Sequence, residues 1–247
     1  MKLTENIYLV GGGEVEYVMT DQMDCNVYMM RVGDFYVLID SGGGMAADTI
    51  VNNIQGHGVD PKDIQWLLLT HAHGDHAAGA APLKERLSNL RVALAAEAAE
   101  WLRTGDEKSI NLDKGRATGM YPSGFRFLPC GVDVELHDGQ KLELGRTTFE
   151  VIATPGHCAG HVSYLVHDEG KSILFAGDAI FPQGKILLQY INDCDLHQSL
   201  QSVERLAKLR PDHLFSGHRQ PILNSAVDHF KLATDRIETL VVPWNLF

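Results

Sequence analysis

Three histidines and an aspartate fall within six residues, His71-Ala72-His73-Gly74-Asp75-His76. No common structural need calls for four cation-binding side chains at that density, so the fold must present them together. Upstream, Trp66-Leu67-Leu68-Leu69-Thr70 is a short apolar run of the kind that forms a buried strand. Downstream, Ala77 to Leu87 is alanine-rich with leucines four apart and predicts a helix. The cluster therefore sits on a strand-to-helix turn. In extended backbone, side chains at i and i+2 point the same way, so His71 and His73 can grip one ion. Asp75 and His76 then turn into the helix and point elsewhere. One short peptide can thus serve two metals about 3.5–4 Å apart. The competing explanation, a chance run of polar residues on an exposed turn, requires all four to be idle.

Two metals need more ligands than one hexapeptide supplies, and three later segments have the right form. Val151-Ile152-Ala153 ends in Thr154-Pro155-Gly156-His157, an apolar run closed by a proline-glycine turn. Ser172-Ile173-Leu174-Phe175-Ala176 leads into Gly177-Asp178, and His213-Leu214-Phe215 leads into Ser216-Gly217-His218. Placing functional residues at strand ends, on loops set by a rigid scaffold, suits chemistry on an α/β core. By spacing alone His161 is also a candidate ligand. Cys158 is expected to point into the core, and His57, His137, His167, His197, His213 and His229 have no matching partners and are taken as ordinary surface or core residues.

The order H-x-H-x-D-H, T-P-G-H, G-D and G-H resembles the metallo-β-lactamase superfamily of metallohydrolases, over Asp40 to His218. The resemblance implies an α/β fold, a four-layer αβ/βα sandwich, as a single domain over residues 1–247. It implies that His71, His73 and His157 hold a first divalent metal, that Asp75, His76 and His218 hold a second, and that Asp178 bridges them. Asp40, in Val37-Leu38-Ile39-Asp40-Ser41-Gly42, matches the family's early aspartate, which supports the site without binding metal. His161 becomes a residue that orients a ligand rather than a ligand itself.

The expected activity is cleavage of an ester, thioester or lactone of a small molecule by a hydroxide bridging the two metals, with Asp75 and Asp178 as catalytic carboxylates. Metal coordination brings the pKa of water to about 7, and the chain has no G-x-S-x-G nucleophile elbow. Imidazole and carboxylate donors place zinc first, with iron or manganese as alternatives. The β-lactamases of this superfamily lack the bridging aspartate, so Asp178 argues against antibiotic hydrolysis. The homoserine-lactone lactonases carry a tyrosine three residues beyond that aspartate, where this chain has Phe181. Gly177-Asp178-Ala179-Ile180-Phe181 is closer to glyoxalase II, but Pro182-Gln183-Gly184-Lys185-Ile186 lacks that branch's basic glutathione-binding stretch. Two alternatives stay open: a mononuclear-iron persulfide dioxygenase, and a metal-bound ligand sensor with little turnover.

Composition narrows the remaining classes. A net charge of −11 weighs against nucleic acid as substrate, because backbone phosphates demand clustered Lys and Arg. Four cysteines without C-x-x-C spacing predict reduced thiols. The first residues show no apolar signal-peptide core, and no stretch approaches about 18 apolar residues, so a cytoplasmic protein without a membrane span is expected. Thr104 to Pro129 breaks the strand-and-helix pattern and mixes glycines with Met120, Tyr121, Phe125 and Phe127. It is expected to be a lid or pocket wall, or else a loop and helix packed on the core or on a second copy in a homodimer. Leu187, Leu188 and Tyr190 are candidates for an opposite wall.

Overall fold

A computed structural model of the chain describes residues 1–13 and 18–247. It divides into two compact units, Met1–Leu136 and His137–Phe247. The α/β class expected from the sequence is what the structure shows, with one sheet and its own helices in each unit.

The first unit carries a six-stranded sheet whose spatial order follows the chain: β1 (Ile7–Gly11), β2 (Val27–Arg31), β3 (Tyr36–Ile39), β4 (Ile64–Leu68), β5 (Arg91–Ala95) and β6 (Val134–Leu136). The first two pairings are antiparallel and the next three parallel. Parallel neighbours need crossovers, and the chain supplies them as α1 (Ala47–Gly56), then α2 (Gly74–Ala77) with α3 (Ala80–Arg86), then α4 (Ala96–Thr104) with α5 (Leu112–Ala117). Ile50 and Ile54 of α1, Leu83 of α3 and Leu102 of α4 join strand residues Val27, Leu38, Leu67 and Val92 in one buried cluster. The 71–76 peptide follows the C-terminal end of β4, a central strand of the sheet.

The single helix predicted over Ala77–Leu87 is two, α2 and α3. The break lies where the chain is tied to the loop after β3. The Ser41 hydroxyl and amide both donate to the His76 carbonyl (2.6 and 2.8 Å), and the Gly79 amide donates to the Gly42 carbonyl. Those bonds claim groups that a continuous helix would use itself. Pro82, which has no amide hydrogen, is accommodated in the first turn of α3.

Within Thr104–Pro129 the structure has α5 and two deeply buried aromatics, Phe125 and Phe127, which belong to the first unit's core. Arg116 forms an ion pair with Glu107 and donates to the Phe125 carbonyl, closing the segment on itself. That pairing holds the Glu107 carboxyl below its usual range.

The second unit has a five-stranded sheet in the order β11-β10-β9-β8-β7, built from β7 (Lys141–Leu144), β8 (Thr147–Ala153), β9 (Val162–Asp168), β10 (Lys171–Gly177) and β11 (His213–Ser216). β7 to β10 form an antiparallel meander, and β11 pairs parallel to β10 after the crossover helix α6 (Leu196–Ala207). Helix α7 (Ala226–Glu238) follows. Val203 and Leu206 of α6 and Phe230 of α7 bury against Leu174 and Leu214 of the sheet. Among the described residues no helix is long and apolar enough to cross a membrane.

Candidate metal centre

In the first unit, β3 and β4 lie parallel with Ile39 opposite Leu68. That register puts Asp40, one residue beyond β3, beside the end of β4, where its amide donates to the Leu68 carbonyl at 3.0 Å. Asp40 adopts the left-handed conformation (φ 60°), which turns its buried carboxylate toward the metal-binding peptide. Oδ1 accepts from the Thr70 amide at 2.7 Å. Oδ2 lies 2.8 Å from the Thr70 hydroxyl and 2.9 Å from His76 Nδ1.

These contacts set two imidazole tautomers. A carboxylate can only accept, so His76 carries its proton on Nδ1 and keeps the lone pair on Nε2. The Thr70 hydroxyl gives its one proton to Asp40. It therefore accepts from His71 Nδ1, 3.0 Å away, which leaves the His71 lone pair on Nε2 as well. Neutral imidazole with its other nitrogen donating to a carboxylate or hydroxyl is the form that binds a metal. The His71 ring centroid lies 4.0 Å from that of His76 and 4.8 Å from that of His73. His73 is still extended (φ −59°, ψ 152°), and α2 begins at Gly74, so Asp75 and His76 leave the strand direction as the sequence pattern expects. Asp75 Oδ2 lies 3.6 Å from His76 Nε2. Its other oxygen accepts from the hydroxyl of Tyr121 at 2.7 Å.

Cys25 is also in this cluster, within reach of Asp40 and His76. Burial pushes its thiol up to about 12, so it is neutral at physiological pH and a weak candidate for metal. Burial, reinforced by the Asp75 charge, likewise raises the Tyr121 phenol well above its usual value and keeps it a donor.

The second unit sets its residues by the same logic. Parallel pairing of β10 with β11 puts Gly177 opposite Ser216, so Asp178 and His218 leave adjacent strand ends. Asp178 Oδ2 lies 3.5 Å from His218 Nε2 and 3.6 Å from His157 Nε2. His157 Nδ1 donates to the Leu187 carbonyl at 3.3 Å, again leaving the lone pair on Nε2. The His157 turn is seated on α6, where the Ser202 hydroxyl donates to the Pro155 carbonyl and the Asp195 amide to that of Gly156.

His161 lies beneath the aspartate. Its Nε2 accepts from the Asp178 amide at 3.0 Å, so Nδ1 carries the proton and donates to Thr154 Oγ1 at 2.8 Å. Thr154 passes its own proton to Ser163, 3.0 Å away, and Ser163 donates to the Ala176 carbonyl. Both ring nitrogens of His161 are thus committed, Nε2 to the Asp178 amide and Nδ1 to the Thr154 hydroxyl.

The donor set suits a metal in chemistry and in spacing. Two ligand atoms at about 2.1 Å from a tetrahedral ion stand roughly 3.4 Å apart. The three nitrogen–oxygen pairs, His76 with Asp75, His157 with Asp178 and His218 with Asp178, lie at 3.5–3.6 Å. Tyr121 carries no sequence signal beyond its place in the aromatic 104–129 segment, and Thr154 none beyond its place in the T-P-G-H motif. Only adjacency to a ligand hinted at Thr70.

The comparisons with known proteins agree with this chemistry. Residues 20–218 match the metallo-beta-lactamase superfamily. The chain is 32% identical to a hydroxyacylglutathione hydrolase of Acidiphilium cryptum, over 82% of this chain and 67% of that protein. It is 25% identical to the lactamase-like protein adaB of Aspergillus niger over 84% of its own length, but spans only about half (53%) of that relative. A Cronobacter sakazakii metallo-beta-lactamase structure superposes with a TM-score of 0.74 over 97% of this chain and 96% of that one. At 22% identity that likeness speaks for the fold alone. A match that runs from before Asp40 to His218, on a chain whose His71, His76 and His157 are held with the lone pair on Nε2, leaves one conclusion: the chain belongs to the metallo-beta-lactamase superfamily.

Proposed function

We propose that the chain is a metal-dependent hydrolase acting on an ester, thioester or lactone of a small molecule. In this reading His71, His73 and His157 hold one divalent cation, Asp75, His76 and His218 hold a second, and Asp178 is shared, all within one domain. The observation that carries it is the tautomer setting: Asp40 and Thr70 in one unit and the Leu187 carbonyl in the other leave Nε2 of His71, His76 and His157 as the ligand atom. Zinc is the first candidate, with iron or manganese next, because imidazole and carboxylate suit all three. The relative named hydroxyacylglutathione hydrolase favours an acyl-thiol substrate within the proposed range.

Divalent cations in such a set lower the pKa of water to about 7 and polarise a carbonyl oxygen. The two carboxylates then differ in what they can do. Asp178 is 2% exposed and its backbone is pinned by His161, so it contributes fixed negative charge and position. Asp75 is 20% exposed at its side chain, so it is the carboxylate open to an incoming water or substrate, which it can orient while it holds the second cation.

The test is elemental analysis of the purified protein with an assay panel. Up to two transition-metal ions per chain are expected, together with chelator-sensitive hydrolysis of activated esters, thioesters or lactones. Absence of metal, even after reconstitution, would sink the reading. Oxygen uptake with glutathione persulfide and no ester turnover would select the dioxygenase instead. Bound metal with neither activity would select the sensor.

A further inference from the structure

Asp75 is the exposed member of the ligand turn, and it sits on α2, a helix of four residues. One turn of helix does little to hold a side chain, and a carboxylate rotates easily about its last bond. What holds this one comes from 46 residues away: Tyr121 Oη donates to Asp75 Oδ1 at 2.7 Å. The other oxygen, Oδ2, is the one 3.6 Å from His76 Nε2. The two carboxylate oxygens are therefore already sorted, one to a protein donor and one toward the proposed metal ligand.

The tyrosine is itself firmly seated. Its amide donates to the Gly115 carbonyl at 3.2 Å, and its ring packs against Phe125 at 4.7 Å between centroids. Gly115, on α5, makes room for it, since a Cβ there would lie 2.7 Å from Tyr121 Cδ2. Phe125 in turn presses on the ligand turn, where a Cβ on Gly74 would come within 2.9 Å of its ring. The absence of side chains at Gly74 and Gly115 thus lets two aromatics of the 104–129 segment close onto the residues beside Asp75.

We propose that Tyr121 is a positioning residue for the metal centre: its hydroxyl holds Asp75 Oδ1 so that Oδ2 alone is presented to the second cation. The 104–129 segment thereby becomes a support of the metal-binding turn. The inference rests on the proposed role of Asp75 as a ligand. A hydrogen bond from a neutral hydroxyl to a carboxylate is among the strong ones, and partners of this kind act on metal affinity as well as turnover.

The experiment is a zinc titration of the metal-free wild type, Tyr121→Phe, Asp75→Ala and the double variant, in competition with a chromophoric chelator. Thermal unfolding of each metal-free protein is measured alongside. Phenylalanine keeps the ring and its packing, so the metal-free Tm of Tyr121→Phe should stay close to wild type. Wild type should take up two zinc ions. Tyr121→Phe should weaken one of them by about 10–100-fold and leave the other within about twofold. In the Asp75→Ala background, Tyr121→Phe should change nothing further, because the group it positions is gone. Cobalt(II) bound to Tyr121→Phe should show an altered visible spectrum for the weakened site. Equal affinities and an unchanged cobalt spectrum for wild type and Tyr121→Phe would overturn the inference, as would an equal loss at both sites or an undiminished effect without Asp75. Should Tyr121→Phe fail to fold, Gly115→Ala, which displaces the ring but keeps the hydroxyl, must show the same selective weakening or the inference falls. A wild type that binds no metal would instead defeat the underlying reading of the site.

Discussion

Replacing Asp40 by asparagine changes one oxygen to an amide nitrogen and should invert the tautomer of His76. Asparagine is among the residues that tolerate the left-handed conformation Asp40 adopts (φ 60°), so the backbone need not move. Only one orientation of the new amide is tenable. With its nitrogen at the Oδ1 position it would face the Thr70 amide, donor against donor at 2.7 Å. The nitrogen must therefore occupy the Oδ2 position, 2.9 Å from His76 Nδ1 and 2.8 Å from the Thr70 hydroxyl. Donating to His76 Nδ1, it drives the ring proton onto Nε2, the atom a metal would take. Thr70 keeps its setting, because its hydroxyl can donate to the oxygen retained at the Oδ1 position, 3.1 Å away, and go on accepting from His71 Nδ1. Loss of one such partner lowers metal affinity about 10–100-fold, which is about 1.4–2.7 kcal/mol. A weakening of that size is therefore expected, in a protein that still folds. Chelator competition gives the affinity, and long-range nitrogen–proton NMR of the metal-free protein reads the tautomers directly. Wild-type affinity, or a His76 still protonated on Nδ1 in Asp40→Asn, would refute the reasoning.

Gly156 has φ +132°, and a Cβ there would lie 2.2 Å from the Ser199 amide nitrogen of α6. Strain and backbone overlap together should make Gly156→Ala less stable by about 3–5 kcal/mol; a urea midpoint within error of wild type would contradict this. Cys25 supplies a pH test. Its thiol is pushed up to about 12 by burial, whereas an unfolded thiol ionises near about 8.5. The folded chain therefore retains a proton that the unfolded chain releases, and this contribution to stability is intact below about pH 8.5 and is lost as pH rises toward the folded value. Between about pH 9 and 10.5, metal-free wild type should lose up to about 1.4 kcal/mol per pH unit more than Cys25→Ala. Parallel urea-denaturation curves for the two proteins across that range would rule it out.

Much of the fold and of the candidate site was legible in the sequence because the relevant signals are local. An apolar run followed at once by Gly-Asp, Gly-His or Pro-Gly-His marks a strand end wherever it lies, and alternation of such runs with helical periods identifies an α/β chain. Covalent adjacency likewise ensures that His71 and His73 leave an extended segment and that Asp75 and His76 enter a helix. What decides the state of those ligands is not local. Asp40 meets Thr70 because β3 and β4 pair in one particular parallel register, and a shift by one residue would turn the carboxylate away. The break between α2 and α3 depends on bonds to Ser41 and Gly42, which helix periodicity within Ala77–Leu87 cannot register. Tyr121 reaches Asp75 only because Gly74 and Gly115 let two aromatics close in, and Phe125 and Phe127 draw an irregular-looking segment into the core. The sequence by itself determined which side chains could bind a metal. The tertiary structure decided which nitrogen of each histidine, and which oxygen of Asp75, would face it, because hydrogen bonds between residues far apart in the chain exist only after packing has chosen the partners.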